Sequence, residues 1–154
     1  MCQLPSSEFV IQTLGLEPLE REGGMYRQVW VSDQGSAIYC LVRPDDFSAM
    51  HRLSGPEVWH YYVGSPLQMV LLHLDGTVER PVLGLDLAAG ERPMVVVEAG
   101  TWMGACTRGE WTLLGTTMAP PFSPHGFELG DRQSLLLDFP QAAAEIESLT
   151  RAPL

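Results

Sequence analysis

Apolar and polar positions alternate in short runs along most of the chain. From residue 25 to residue 139, runs of four to eight residues rich in Val, Leu, Tyr and Trp are separated by clusters of Gly, Pro and Asp. Runs of this length and composition are typical of β-strands. They predict strands at Tyr26–Val31, Ala37–Leu41, Met50–Leu53, Val58–Tyr62, Gln68–Leu74, Val78–Leu83, Met94–Val97, Met103–Cys106, Thr112–Thr117 and Ser134–Phe139.

Helical patterns lie only at the two ends of the chain. The stretch SSEFVIQTLG predicts a helix with Ser6 or Ser7 as its N-cap and Gly15 as its C-terminal stop. The stretch QAAAEIESL predicts a terminal helix, and LDGT at Leu74–Thr77 predicts a type I′ hairpin turn. Many short strands with helices only at the ends are typical of a sandwich or a closed barrel. No linker or repeat interrupts the pattern, so we expect one domain over residues 1–154.

Composition and charge narrow the classes of partner. The chain has 154 residues, nine arginines, no lysine and a formal net charge of −10. So acidic a chain offers no basic surface for a phosphate backbone, which excludes nucleic acid as a partner. Apolar runs are strand-sized, and no signal-peptide pattern opens the chain, so we expect no membrane association. Cys2, Cys40 and Cys106 show no CxxC spacing, which predicts reduced thiols in a cytoplasmic protein.

Four segments resemble one known family. EGGMYRQVW, AIYCLVRPDDFSAMHRLSGPEVWHYYVGSPLQMVLLHLDG, DLAAGERPMVVVEAGTWMGA and WTLLGTTMAPPFSPHGFEL are similar to the small cupin family DUF985 (Cupin_5), from about Leu14 to Phe139. The resemblance implies an all-β fold, the cupin double-stranded β-helix or jelly-roll barrel, with short flanking helices at both termini. It places the barrel core at about residues 25–139 and implies a homodimer, but no settled reaction.

The resemblance also bears on metal binding. Cupins hold a divalent ion with two histidines and a glutamate of a first motif and a histidine of a second. His51, Glu57 and Gly64 keep the first motif's spacing, while Leu53 and Met103 occupy the two other ligand positions. A first-row divalent ion needs at least three nitrogen, oxygen or thiolate ligands. We therefore expect no metal cofactor, and a divalent-metal enzyme with a reduced ligand set stays an alternative.

Proton transfer is the other chemistry open to His51 and Glu57. An imidazole oriented by a carboxylate in a half-apolar interior suits a general base. Side chains alternate along a strand, so Tyr61 shares the Glu57 face and is the candidate acid, while His60 points away. Metal-free sugar-nucleotide epimerases of the same barrel class use a His base with a Tyr acid. The prediction is a metal-independent epimerase or isomerase of a carbonyl-containing metabolite; the alternative is a non-catalytic module that binds a small molecule.

Three large side chains are candidates for binding a small-molecule ligand. Trp59 and Trp102 can stack on a planar or sugar ligand, although aromatic residues also fill jelly-roll interiors. Met103 stands where the family usually has a polar residue, which implies a more apolar pocket.

Charged residues complete the candidate site. Arg43 can hold a ligand carboxylate or phosphate, with a surface ion pair to Asp45, Asp46 or Glu57 as the alternative. Glu22 matches the family in the stretch EREGGMYR and is a candidate for the pocket mouth. Glu20 and Arg21 replace a His-Pro pair that the family usually has there.

Overall fold

The structure is a computed structural model that describes residues 3–152. It contains strands in two antiparallel sheets, with short helices near both ends of the chain. The strands are β1 Glu17–Pro18, β2 Met25–Val31, β3 Ser36–Val42, β4 Ser48–Leu53, β5 Glu57–Gly64, β6 Leu67–Leu72, β7 Val78–Glu79, β8 Val82–Leu83, β9 Met94–Val97, β10 Trp102–Thr107, β11 Thr112–Met118 and β12 Phe127–Leu129. The helices are α1 Ser7–Leu14, α2 Arg132–Asp138 and α3 Ala143–Ser148, with single 3-10 turns at Leu87–Ala89, Pro124–Gly126 and Pro140–Ala142.

The two sheets face each other across an apolar core. The first sheet has the order β1-β2-β3-β11-β5-β9, and the second has the order β12-β4-β10-β6-β7, with β8 also paired to β6. Both sheets contribute to one buried cluster of Cys40, Val42, Leu53, Trp59, Leu67, Met69, Leu71, Leu83, Val97, Met103, Ala105, Leu114 and Met118. This two-sheet arrangement confirms the predicted jelly roll.

Helices cover the outer faces of both sheets. Val10 and Leu16, in and after α1, pack on Leu41, Trp111 and Leu113 of the first sheet and its loops. The C-terminal helices pack on the second sheet through a cluster of Met50, Val70, Leu72, Leu135, Phe139, Ala142, Ile146 and Leu149. None of the helices between residues 3 and 152 is long and apolar enough to cross a membrane.

Both predicted terminal helices are confirmed. Ser6 is the N-cap of α1, because its side chain accepts a hydrogen bond from the Phe9 amide at 3.2 Å. Gly15 ends α1 in the left-handed conformation, with φ 65°. At the other end, the predicted terminal helix forms a 3-10 turn followed by α3.

The predicted strand at Ser134–Phe139 is wrong, since this segment forms α2. Asp131 is the N-cap, and its carboxylate accepts hydrogen bonds from both the amide and the hydroxyl of Ser134 at 2.9 Å. The apolar run SLLLDF has no strand-like alternation, and Leu135 is the residue of α2 that is buried against the second sheet.

The hairpin after β6 also differs from the prediction. A type I′ turn needs positive φ at both central residues, but only Gly76 has it, with φ 89°. The Gly76 amide donates to the His73 carbonyl at 3.0 Å and the His73 amide to Thr77 at 2.9 Å, which makes a three-residue loop. The predicted strand Val78–Leu83 is split into β7 and β8 around Pro81, which has no amide hydrogen for the ladder.

Candidate functional site

A cavity of about 330 Å³ opens between the two sheets at one end of the core. Strands of both sheets line it, together with the segment before β2 and the loop before β12. Its apolar lining is Leu19, Ile38, Leu53, Met118, Phe122, Pro124 and Phe127, and its polar lining is Glu20, Arg21, Glu22, Tyr26, Gln28, Ser36, His51, Glu57 and Thr116. His51 and Glu57 are buried, whereas Glu20 and Arg21 are exposed, so the cavity has a buried floor and a charged mouth.

His51 lies on β4 at the cavity floor with 1% of its surface exposed. Its Nδ1 is 2.7 Å from the Ala49 carbonyl oxygen, which only accepts, so Nδ1 carries the proton and donates. Its Nε2 is 3.5 Å from Glu22 Oε1. The ring stacks on Phe127, with centroids 5.5 Å apart and planes inclined by 21°. Because Nδ1 carries the proton, the lone pair of the neutral ring lies on Nε2.

Glu22 is held beside His51 by contacts on both its side chain and its backbone. The Ser48 hydroxyl donates to Glu22 Oε1 at 2.8 Å. The Glu22 carbonyl accepts from the Ala49 amide at 2.8 Å and from Arg151 Nη1 at 2.8 Å. The segment before β2 is thus tied to β4, and this fixes the carboxylate near the imidazole.

Glu57 begins β5 and is the buried carboxyl of the cavity floor. Burial raises its pKa to about 7; the attraction of His51 lowers it, the repulsion of Glu22 raises it, and a hydrogen bond from Trp59 lowers it. That hydrogen bond runs from Trp59 Nε1 to Glu57 Oε1 at 2.8 Å. Glu57 therefore exchanges a proton near neutral pH, in contrast to an ordinary carboxyl.

Tyr61 lies apart from the cavity. The alternation along β5 holds, but Tyr61 is four residues beyond Glu57, about 13 Å along an extended strand. Its hydroxyl donates to the Gly64 carbonyl at 2.5 Å. Burial, followed by the nearby charge of Glu91, raises its pKa. The structure does not bring Tyr61 together with His51. As expected, His60 points away from the cavity and contacts the Thr117 hydroxyl at 2.9 Å.

The residues predicted to bind a ligand also lie outside the cavity, except for Glu22. Trp59 and Met103 are each 1% exposed and belong to the apolar core. Trp102 packs on the outer side of the second sheet, with the Arg52 guanidinium 4.5 Å from its ring centroid. Arg43 is 3.8 Å from Asp46, which is the surface pair that its sequence neighbours had suggested.

Several cavity residues are not identified by sequence motifs. Arg21 and Tyr26 flank the two glycines of the EREGGMYR stretch, and Phe127 comes from strand β12, far along the chain. Thr116 lies on β11 opposite Trp59 of β5. The available sequence signal was the pair Glu20 and Arg21, since both positions depart from the family pattern.

The side chains at the cupin metal positions do not fit a divalent ion. His51 and Glu57 are present, but Leu53 lines the cavity with an alkyl group, and Met103 is buried in the core opposite His51 in the β4–β10 pairing. Neither Leu nor a thioether is a ligand for a hard or borderline divalent ion. Within residues 3–152, no three His, Cys, Asp or Glu side chains are grouped to hold a metal.

Comparisons with known proteins identify the family and the fold. The family model described as Cupin superfamily (DUF985) matches residues 8–130. An X-ray structure of a Shewanella oneidensis protein is 33% identical with TM-score 0.92, covering 97% of this chain and 100% of that one. A hypothetical protein from Leishmania major is 26% identical with TM-score 0.89, covering 96% of this chain and 100% of that one.

More distant similarity shows the fold alone. A mutant oxalate decarboxylase from Bacillus subtilis is 13% identical with TM-score 0.60, covering 90% of this chain and 41% of that one. No curated protein matches the sequence. The family match spans most of the chain and the Shewanella relative spans nearly all of it. The chain therefore belongs to the DUF985 family of the cupin superfamily.

Proposed function

We propose that this protein binds a small carbonyl-containing metabolite and catalyses its epimerisation or isomerisation by metal-independent proton transfer. One observation carries the proposal. The Nδ1–H of His51 donates to the Ala49 carbonyl, which leaves the Nε2 lone pair to act as a base. The same cavity contains Glu57, a carboxyl with a pKa of about 7. Proton transfer at a carbonyl requires a base with an available lone pair and an acid that gives up its proton near neutral pH.

The proposed step begins with removal of a proton from the carbon beside the carbonyl by His51 Nε2. The electron pair of that C–H bond forms the double bond of an enol, while the carbonyl oxygen takes the proton of Glu57. When the carbon that lost its proton carries a hydroxyl, the intermediate is an enediol. Return of the imidazolium proton to the former carbonyl carbon, with the proton of the neighbouring carbon's hydroxyl going to Glu57, then completes an isomerisation. If the enol first turns over in the cavity, return of the imidazolium proton to the opposite face of the same carbon completes an epimerisation. The step consumes no oxidant or reductant.

Two neighbours support these roles without contacting the reacting atoms. Glu22 Oε1, 3.5 Å from His51 Nε2, stabilises the imidazolium that forms during the step. Trp59 is a positioning residue, since its indole nitrogen holds the Glu57 carboxyl at 2.8 Å. The structure thus supports Glu57 as the acid in place of Tyr61, whose hydroxyl is bonded to Gly64.

Deuterium exchange tests the proposal without knowledge of the substrate. Aldoses, ketoses, 2-oxo acids and 1,3-dicarbonyl compounds are incubated with the protein in D₂O, and C–H exchange beside the carbonyl is followed by proton NMR. We expect exchange with at least one class, and a loss of about 10²-fold or more in His51→Gln. His60→Gln is the matched control, because His60 bonds Thr117 outside the cavity. Exchange that persists in His51→Gln, or no protein-dependent exchange with any class, contradicts the proposal.

A non-catalytic binding module is the second candidate. The apolar wall formed by Leu19, Ile38, Met118, Phe122 and Phe127 favours it, because such a wall binds a ligand without acting on it. This candidate predicts that Phe127→Ala weakens ligand binding, while no proton exchange is detected with the bound ligand.

We also propose a cytoplasmic homodimer. Cys40 and Cys106 are free thiols, as expected in a reducing compartment; Cys2 lies outside the described residues.

Among the described strands, β1 pairs with only the first two residues of β2 on its outer side, and the adjoining stretch Val29, Trp30 and Val31 is about half exposed. An apolar sheet edge of this kind suits pairing with a second copy. Light scattering should give twice 17.0 kDa, and Val31→Arg should give 17.0 kDa.

A further inference from the structure

Arg21 differs from the other arginines in the contacts of its guanidinium group. In the described residues, each of the eight other arginines has a hydrogen bond or an ion pair from its guanidinium to a carboxylate, a carbonyl, a hydroxyl or an amide oxygen. The Arg21 guanidinium has no such partner within residues 3–152. Its recorded contact is the Phe127 ring, with Cζ 5.0 Å from the centroid. Arg21 thus presents all of its hydrogen-bond donors at the cavity mouth.

The backbone of Arg21 is strained. Arg21 has φ 70°, and among the described residues it is the single non-glycine residue with positive φ. A residue with a Cβ in this conformation costs free energy that glycine would avoid, and such strain is concentrated at functional sites. Two glycines follow within three positions, so the chain has glycine nearby but places arginine at the strained position.

Arg21, Phe127 and His51 form a series that runs from the mouth to the floor. The guanidinium lies 5.0 Å from the Phe127 centroid, and that centroid lies 5.5 Å from the His51 centroid. All three residues line the same cavity. A small molecule lying along Phe127 therefore reaches His51 with one end and Arg21 with the other.

We infer that the ligand of this cavity is a carbonyl compound with an apolar body and an anionic group, and that Arg21 binds this anion at the mouth. A planar guanidinium with free donors binds a carboxylate or a phosphate through two parallel hydrogen bonds. The charges of the cavity set the orientation, because an anion is repelled by the Glu22 carboxylate beside His51 and attracted to Arg21. This inference deepens the proposed function and rests on it for the carbonyl at His51.

Direct binding measurements test the role of Arg21 separately from catalysis. Phenylpyruvate, its uncharged methyl ester and phenyl phosphate serve as probes, because their rings suit a cavity lined by Phe122 and Phe127. Binding is measured by isothermal titration calorimetry. We expect the wild-type protein to bind at least one anionic probe about tenfold or more tightly than the ester. A response to phenyl phosphate alone identifies the anion as a phosphate, and a response to phenylpyruvate identifies a carboxylate.

Three variants assign the preference to one side chain. Arg21→Asn, which tolerates the left-handed conformation, should abolish the preference for the anion, and Arg21→Lys should retain part of it. Arg108→Gln removes the same charge from an exposed loop, where Arg108 bonds Gln68, and should keep the full preference. His51→Gln should also keep it, so a failure of proton exchange is distinguished from a failure of anion binding. Equal binding of acid and ester, an unchanged preference in Arg21→Asn, or no binding of either anion at about 10 mM overturns the inference.

Discussion

The two ends of the space between the sheets differ in whether the hydrogen-bonding groups of their polar side chains are paired within the protein. At the closed end, formed by Tyr61, Gly64, Ser65, Thr107 and Thr112, polar groups bond to each other or to backbone. Thr112 Oγ1 donates to the Ser65 carbonyl at 2.7 Å and lies 2.7 Å from Thr107 Oγ1. Tyr61 donates to Gly64. Their hydrogen-bonding capacity is used internally, so this end contributes stability.

At the cavity end, polar and charged side chains retain hydrogen-bonding groups that can contact a ligand. The nearest carboxylate oxygen to His51 Nε2 is 3.5 Å away, and the Arg21 guanidinium rests on an aromatic face. Strand β5 connects the two ends, with Glu57 at the cavity, Trp59 in the core and Tyr61 near the closed end. Position along the strand, rather than residue type, therefore decides which polar group can act on a ligand.

The largest expected effect comes from removing the residue that separates the two ends. Trp59 is 1% exposed, and Trp59→Ala should lower the free energy of unfolding by about 3–5 kcal/mol, because it leaves a large cavity in the core. Urea denaturation measures the change. Trp102→Ala is the control, since Trp102 is only partly buried on the outer face, and its cost should be smaller. Equal costs would contradict the separating role of Trp59.

The pH dependence of stability at the cavity end is the next largest effect. The pKa of Glu57 is raised from 4.5 to about 7 on folding. Below pH 4.5 both states hold the proton; as pH rises toward 7 only the folded state keeps it, so the stability contributed by protonated Glu57 is progressively lost. The free energy of unfolding of wild type minus that of Glu57→Gln should fall by about 3 kcal/mol between about pH 4.5 and pH 8. A difference that stays constant would place Glu57 in a solvated site, and one that rises with pH would mean that folding lowers the pKa of Glu57.

A smaller effect is expected at the closed end. Thr112→Val keeps the shape of a fully buried side chain but removes the donor to the Ser65 carbonyl. The free energy of unfolding should fall by about 1–2 kcal/mol, because a partly buried carbonyl loses its partner. Proton exchange should be unchanged at a temperature where the variant is folded. A fall in exchange would show that the two ends are coupled.

The smallest effect is a gain in stability. Arg21→Gly relieves the left-handed strain at the mouth and should raise the free energy of unfolding by about 0.5–1 kcal/mol while weakening anion binding. Arg27→Gly, in strand β2, should instead lower it. Thermal denaturation of both variants measures the difference. A destabilised Arg21→Gly would mean that the Arg21 contact with Phe127 outweighs the strain.

The sequence predicted the fold and the strand faces more fully than it predicted the cavity. Alternation placed Glu57, Trp59 and Tyr61 on one face correctly, because a period of two is local information. Alternation does not show where along that face the packed core begins, so Trp59 was predicted to bind a ligand and Tyr61 to act as the acid. The SLLLDF run was misassigned because short apolar runs fit both helix and strand, and the Asp131 cap was overlooked.

The composition of the cavity mouth depends on contacts between distant parts of the chain. Arg21 and Phe127 are brought together by the pairing of β12 with β4 and by the Glu22 backbone bonds to Ala49 and Arg151. No local pattern encodes such contacts. Sequence reasoning therefore selected Arg43 as the anion-binding arginine, although Arg43 pairs with Asp46 on the surface.

The hydrogen bond from the Trp59 indole to Glu57 gives the protein an internal spectroscopic indicator. The indole N–H points at a carboxyl whose charge changes near neutral pH, so its chemical shift follows the proton occupancy of the cavity floor. The chain has four tryptophans, and Trp59→Phe identifies which of the four indole signals belongs to this pair. A nitrogen–proton spectrum of isotope-labelled protein, recorded across a titration, then reports the protonation of Glu57 with or without a bound molecule, and needs no known substrate.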